Sequence, residues 1–264
     1  QRQMRLNKVG FSKVNTIFIS HLHGDHFFGL IGLISTFGIL NREKELHIHG
    51  PKGIKEVINI QLKHSKSYVK YKIIFHELNS TESELIFEDE KVKVYTIPLN
   101  HRVYTNGFLF KEKEKLRKIN ISAVKKIKEI DVCDYNNLKA GKDFKLASGD
   151  VIKNSELTCN PEKAVSYAYC SDTSYKPSII EIINGVDLLY HESTFLTDKE
   201  DLAAKTGHST AKQAARIAKK ANVKKLVLGH YSSRYKNISL FKKEAQEVFK
   251  NVSLAETGRV FSSK

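Results

Sequence analysis

The run His21-Leu22-His23-Gly24-Asp25-His26 constrains this chain more than any other stretch. It follows directly on Thr16-Ile17-Phe18-Ile19, whose β-branched and aromatic residues predict a buried strand. In an extended segment residues i and i+2 point to one side, so His21 and His23 can grip one metal ion together. Gly24 permits a tight turn, after which Asp25 and His26 face a second position. Four ligand-type side chains in six residues are costly beside a core without a metal to occupy them. Any fold for this sequence must therefore end a buried strand at a polar rim that can hold metal.

Other strands supply the rest of the rim. The run 91–99 leads to Asn100-His101, and 164–170 leads to Ser171-Asp172-Thr173. The run 186–190 ends at His191-Glu192-Ser193-Thr194, and 224–228 passes through Gly229 to His230. Further strands are expected at 45–49 and 107–110, with a helix over 52–64. Ser209 is expected to cap a helix carrying Ala211, Ala214, Ala215 and Ala218 at i, i+3, i+4 and i+7. Ser239 is expected to cap a last one. This alternation reads as α/β (α+β) with one main core. Five histidines and two aspartates without cysteine suit a binuclear hydrolytic site, with Asp172 placed to bridge.

Composition narrows the classes. No apolar run reaches the roughly 18 residues needed to span a bilayer, so no membrane segment is expected. The first residues lack the apolar stretch of a signal peptide. Cys133, Cys159 and Cys170 form no metal spacing or disulfide framework, which points to a reducing, cytoplasmic setting. With 44 Lys and Arg against 29 Asp and Glu the chain carries +15, a balance suited to a polyanion. Residues 111–128 concentrate that charge, with eight basic residues against two glutamates. Their few apolar side chains are not expected to hold a core, so the segment reads as a solvated face or an arm tracking phosphates.

The cluster His-x-His-x-Asp-His resembles the signature of the metallo-β-lactamase superfamily, which implies a sandwich of two β-sheets flanked by helices. Within it, His191-Glu192-Ser193-Thr194-Phe195, Gly207-His208-Ser209-Thr210 and His230-Tyr231-Ser232-Ser233-Arg234-Tyr235 are similar to the ribonuclease Z family. So are Pro98-Leu99-Asn100-His101-Arg102 and His49-Gly50-Pro51-Lys52-Gly53. The resemblance implies a single metallo-β-lactamase-type domain over 1–264, with an inserted basic tRNA-binding arm at 111–145. It implies two Zn2+ per subunit, with Mn2+ or Fe2+ as substitutes. His21, His23 and His101 would hold one ion, Asp25, His26 and His230 the other, with Asp172 between them. Asp25, Glu192 and His208 would be catalytic, and Arg234 would contact phosphate. Lys113, Lys115, Arg117, Lys118, Lys125, Lys126 and Lys128 would bind the tRNA body.

Family members open with a glycine-rich strand and an Asp-Cys-Gly-Glu-Gly-Thr stretch ahead of the residues matching Gln3-Met4-Arg5. The chain is therefore expected to be N-terminally incomplete, with one sheet short of strands. The arm's Gly-Pro pair is replaced by Val132-Cys133-Asp134-Tyr135. The implied activity is removal of the 3′ trailer from precursor tRNA by a homodimer. The competing readings are a metallo-hydrolase of a small ester, lactone or thioester, and a catalytically weak RNA-binding subunit.

Overall fold

The computed structural model describes residues 1–262, which fall into two compact units. The first holds 1–89, 93–111 and 166–262, and the second holds 90–92 and 112–165.

The first unit contains two sheets. Strands β1 (Thr16–Phe18), β2 (Leu46–Pro51) and β3 (Ile73–Leu78) form a parallel sheet in that order. Strands β4 (Leu85–Glu88), β5 (Val92–Pro98), β6 (Asn106–Glu112), β7 (Ser166–Cys170), β8 (Leu188–Glu192), β9 (Leu226–Gly229) and β10 (Val252–Leu254) form the larger one. Its order is β10-β9-β8-β7-β6-β5-β4, parallel from β7 to β10. The sheets meet through aromatic rings: Phe18 of β1 packs on Phe87, Phe108 and Phe110 of the larger sheet at 5.3–6.1 Å between ring centres. Two facing sheets of this kind are the sandwich expected from the sequence.

Each sheet has a helical cover. Helices Gly29–Ile39 and Ile54–His64 bury Ile34, Phe37, Ile54 and Ile58 with Leu46 and Ile48 of β2. Helices Ala211–Lys220 and Ser239–Gln246 bury Ala214, Ala215, Ile217, Ala218 and Phe241 with Leu189, Leu226 and Leu228. The small side chains of Ala211–Lys220 let its backbone lie close to the sheet. Because strand side chains alternate, Leu189 and His191 face one side of β8, while Tyr190 faces the other and stacks on Tyr169.

Both expected caps are displaced. Thr210, not Ser209, caps Ala211–Lys220: its side chain accepts from Gln213 N while Gln213 Oε1 accepts from Thr210 N. Ser209 Oγ instead donates to Thr173 O at 2.6 Å. Ser239 lies inside the last helix, and Asn237 Oδ1 accepts from Ser239 N and Oγ.

In the second unit the apolar residues of 111–128 join a small core that they could not form alone. Val124, Leu138 and Leu157 are buried there, with Ile119, Ile127, Ile130, Tyr135, Phe144 and Ile152 around them. The basic segment cannot close this cluster alone; the chain returning through 135–157 completes it. Asn154 ties the return together, its Nδ2 donating to Leu138 O and Lys142 O at 2.8 Å each.

Candidate active site

All of the rim residues lie in the first unit, and strand ends place them. His21 and His23 follow β1, His101 follows β5, Asp172 follows β7, Glu192 ends β8 and His230 follows β9. Gly24–Phe27 forms a short helix that carries Asp25 and His26. Potential ligand atoms of His21, His23, His101 and Asp172 lie within 4.8 Å of one another, as do those of Asp25, His26 and His230. The two groups meet at Asp172, whose Oδ2 is 3.4 Å from His26 Nε2 and whose Oδ1 is 3.4 Å from His230 Nε2. His208 joins Asp172 and His230 in a third grouping.

The residues fit a metal because the chain occupies the far nitrogen of several rings. His101 Nδ1 donates to Gly207 O at 2.8 Å, so the neutral ring carries its lone pair on Nε2. Gly207 has φ +77°, and a Cβ there would come within 2.7 Å of His101 Nδ1, so only glycine permits this contact. His21 Nδ1 donates to Ser20 Oγ at 3.0 Å, and Ser20 passes its own proton to Ser171 Oγ. That leaves His21 Nε2 buried, 3.7 Å from Asp172 Oδ2, with no hydrogen-bond partner. A buried lone pair with nothing to accept is a costly arrangement that a cation relieves.

Electrostatics follow the same pattern. Burial, then His26, pushes the His21 ring down to about 3, so it stays neutral and able to ligate. Burial works to raise the Asp172 carboxyl, but the hydrogen bond from His26 and the nearby His230, His26 and His21 outweigh it. Asp172 therefore lies well below the usual carboxylate range. Burial opposes protonation of His208, yet the hydrogen bond to Glu192 and that carboxylate's charge raise it above its ordinary value.

Glu192 is fully buried and saturated with donors. Its Oε1 accepts from Thr173 N at 3.0 Å, His208 Nδ1 at 2.9 Å and Ser209 N at 3.1 Å. Its Oε2 accepts from the N–H and hydroxyl of Thr194 at 2.8 and 2.9 Å. His208 is thereby fixed with Nε2 left for the cleft that it lines. That cleft, about 360 Å³, is bounded by His23, Gly24, Asp25, His101, Arg102, Asp172, His208 and His230.

Arg102 also lines the cleft and has no role among those expected from the sequence; its place directly after His101 in the Pro98–Arg102 run is the signal that points to it. Arg234 lies outside the cleft lining, exposed, with its guanidinium 3.3 Å from Ser232 Oγ. In the second unit, Lys115 pairs with Glu112 and Glu162, and Lys118 pairs with Glu162. Arg117 is engaged by Thr158 Oγ1 and Asn160 Oδ1, and Lys113 is half-buried. Lys125, Lys126 and Lys128 are exposed and form no ion pair among the described residues. Among the described residues no helix is long and apolar enough to cross a membrane.

Known proteins resemble this chain over nearly its whole length, and the fold described above is the metallo-β-lactamase fold. A family model for the beta-lactamase superfamily domain matches residues 154–231. The Ribonuclease Z of Bacteroides fragilis strain YCH46 is 47% identical, over 97% of this chain and 84% of that protein. The Ribonuclease Z of Porphyromonas gingivalis strain W83 is 46% identical, over 95% of this chain and 82% of that protein. Among solved structures, the short form of human tRNase Z superimposes with a TM-score of 0.70 at 26% identity, covering 100% of this chain and 85% of its own. A Bacillus subtilis metallo-beta-lactamase fold protein, YhfI, shares the fold at TM-score 0.64 and 19% identity, over 97% and 80% of the two chains.

Proposed function

The chain belongs to the ribonuclease Z family, and we propose that it is a metal-dependent endoribonuclease that removes the 3′ trailer of precursor tRNA. The observation that carries this reading is a cluster of seven ligand-type side chains, five of them lining one cleft, beside His208 held by the buried Glu192. We assign His21, His23 and His101 to one ion, Asp25, His26 and His230 to the other, and Asp172 to both. The ions are zinc, with Mn2+ or Fe2+ able to replace them in a nitrogen and oxygen donor set. Bound there, they supply positive charge that acidifies a water and stabilises the oxygens of the phosphodiester.

The chain's own groups complete the reaction. Asp25, at the solvent side of the cleft, accepts the proton of the attacking water. His208, raised and oriented by Glu192, gives a proton to the leaving 3′ oxygen. Arg102 in the cleft and Arg234 outside it offer guanidinium forks to phosphate oxygens. The products are a tRNA ending in a 3′-hydroxyl and a trailer beginning with a 5′-phosphate. The exposed Lys125, Lys126 and Lys128 supply affinity for the tRNA body rather than chemistry. We take the working form to be a homodimer in the cytoplasm; the free state of Cys133, Cys159 and Cys170 is consistent with a reducing compartment. The deciding experiment is incubation with a 3′-extended tRNA precursor and sequencing of both product ends. Intact precursor, or ends carrying a 3′-phosphate, would overturn the reading.

A further inference from the structure

Thr194 stands two residues beyond Glu192 and is 7% exposed. Its hydroxyl donates to Glu192 Oε2 at 2.9 Å, which commits its only proton. The hydroxyl oxygen is then an acceptor, and His230 Nδ1 lies 2.8 Å from it. His208 Nδ1 is farther, at 3.2 Å, and donates instead to Glu192 Oε1 at 2.9 Å. One hydroxyl therefore links the carboxylate that holds His208 to the ring of His230.

The backbone of His230 is an independent observation. His230 has φ +60°, in the left-handed region that residues other than glycine seldom occupy. Such a conformation persists where surrounding contacts over-determine it. Those contacts join the loop after β8 to the loop after β9. Ser193 N and Oγ both donate to Gly229 O, at 2.8 and 3.1 Å, and Ser232 N donates to Thr194 O at 3.0 Å. The backbone aims the His230 side chain at Asp172, and the Thr194 hydroxyl sets which ring nitrogen keeps its lone pair.

We propose that Thr194 is a positioning residue: its hydroxyl holds His230 as the Nδ1–H tautomer, leaves Nε2 directed at Asp172, and couples that ring to the Glu192–His208 pair. Its consequence for catalysis rests on the functional reading above. Its consequence for metal uptake does not, since that needs no RNA. Thr194→Val keeps the shape and removes the hydroxyl; Thr194→Ser keeps the hydroxyl. Thr194→Ala differs from Thr194→Ser by the hydroxyl alone, so the Ser–Ala pair repeats the comparison if the valine variant does not fold.

The test is calorimetric titration of the metal-free chain with Zn2+ alone. Thr194→Val and Thr194→Ala should weaken one of two binding steps by about 10–100-fold, the usual worth of a partner to a ligating histidine. Thr194→Ser should bind as wild type. On precursor tRNA, Thr194→Val should lower kcat by a similar factor with KM unchanged, and Thr194→Ser should restore it. Wild-type affinity at both steps in a folded Thr194→Val chain would overturn the proposal. So would Thr194→Ser weakening binding as much as Thr194→Ala, because the methyl group would then be what matters. A wild-type chain that shows this zinc pattern but leaves precursor tRNA uncut would sink the nuclease reading and leave the Thr194 assignment standing.

Discussion

Two groups of histidines lie in the first unit, and only one is built like a metal centre. His21, His23, His26, His101 and His230 converge edge-on about Asp172, with three of their far nitrogens held by Ser20, Gly207 and Thr194. His49 and His76 on β2 and β3 stack face to face instead, and His47 Nδ1 meets His76 Nε2 edge to edge in a hydrogen bond of 3.0 Å that occupies both nitrogens. The rings of His49 and His76 are 4.2 Å apart and 9° from parallel, and Phe18 covers the other side of His49 at 4.9 Å. Imidazole lone pairs lie in the ring plane, so stacked rings point them along parallel lines rather than at one ion. Both groups contain a buried orphan nitrogen, His21 Nε2 and His49 Nδ1. Burial pushes both rings down, His21 to about 3 and His49 to about 4. Burial and an orphan nitrogen are thus shared; convergence on a carboxylate separates a site from a packing motif.

The sharpest way to break that contrast is Asp172→Ala. With the shared carboxylate gone, both ions and all cleavage should be lost. Two metal equivalents in the folded variant would show that the histidines suffice and that convergence on Asp172 is incidental. A smaller loss is expected from His208→Ala or Glu192→Gln, which leave the converging ligands in place. Cleavage should slow by about 10²–10⁴-fold with metal content near normal, the range for a missing general acid. Metal loss in His208→Ala would move that residue into the ligand set, where its proximity to Asp172 and His230 would also allow it to serve.

Charges that converge on nothing provide the next comparison. Replacing Lys125, Lys126 and Lys128 together should raise KM for precursor tRNA and lower the log–log salt slope by up to about 2–3, at about 0.7–0.9 per phosphate contact. The rate on a small phosphodiester should hold; its loss would make the segment structural.

The stacked histidines should show the smallest effect, and only in acid. The folded pKa of His49, about 4, lies below the unfolded value of 6.5. Between those values the unfolded chain takes up a proton that the folded chain refuses, so stability falls as pH drops from 6.5 toward 4. Well above that window the ring is neutral in both states and this effect vanishes. His49→Phe, which can keep the stack on Phe18, should leave metal content and turnover unchanged and flatten that acid loss. Urea unfolding of the metal-loaded chain at about pH 7 and about pH 5, on either side of the unfolded value, would check it. Equal acid sensitivity in both proteins would mean that the His49 assignment is wrong.

The metal-ligand set is legible in the sequence because four of its members, His21, His23, Asp25 and His26, fall within six residues at the end of a strand. His101, Asp172 and His230 can be found by asking where other strands end. The partners that fix the rings are not legible. Gly207 and Thr194 obey no spacing rule relative to the histidines they hold, and the fold alone brings them together; Ser20 precedes His21 directly, but nothing in the sequence marks it as the partner of that ring. Strands β3 and β4 are hidden because Ile73–Leu78 and Leu85–Glu88 sit among charged residues and carry short, mixed runs. The core of the second unit is hidden because Phe144 and Ile152 are isolated in sequence and gain neighbours only when the chain returns. The cap at Thr210 is a different case: Thr210 followed by Gln213 is itself a capping-box pattern, and it outweighs the serine one residue earlier.

The saturation of Glu192 bears on how the proposed catalytic cycle closes. Five donors share its two oxygens, so no lone pair remains to relay a proton onward. His208 cannot be recharged from behind. In the reaction proposed above, its Nε2 is reprotonated after each cut through the mouth of the cleft, from water or buffer, and only once the products have made room. The buried carboxylate is a fixed counter-charge rather than a reservoir, which makes the end of one turnover and the readiness for the next a single event at the open side of the site.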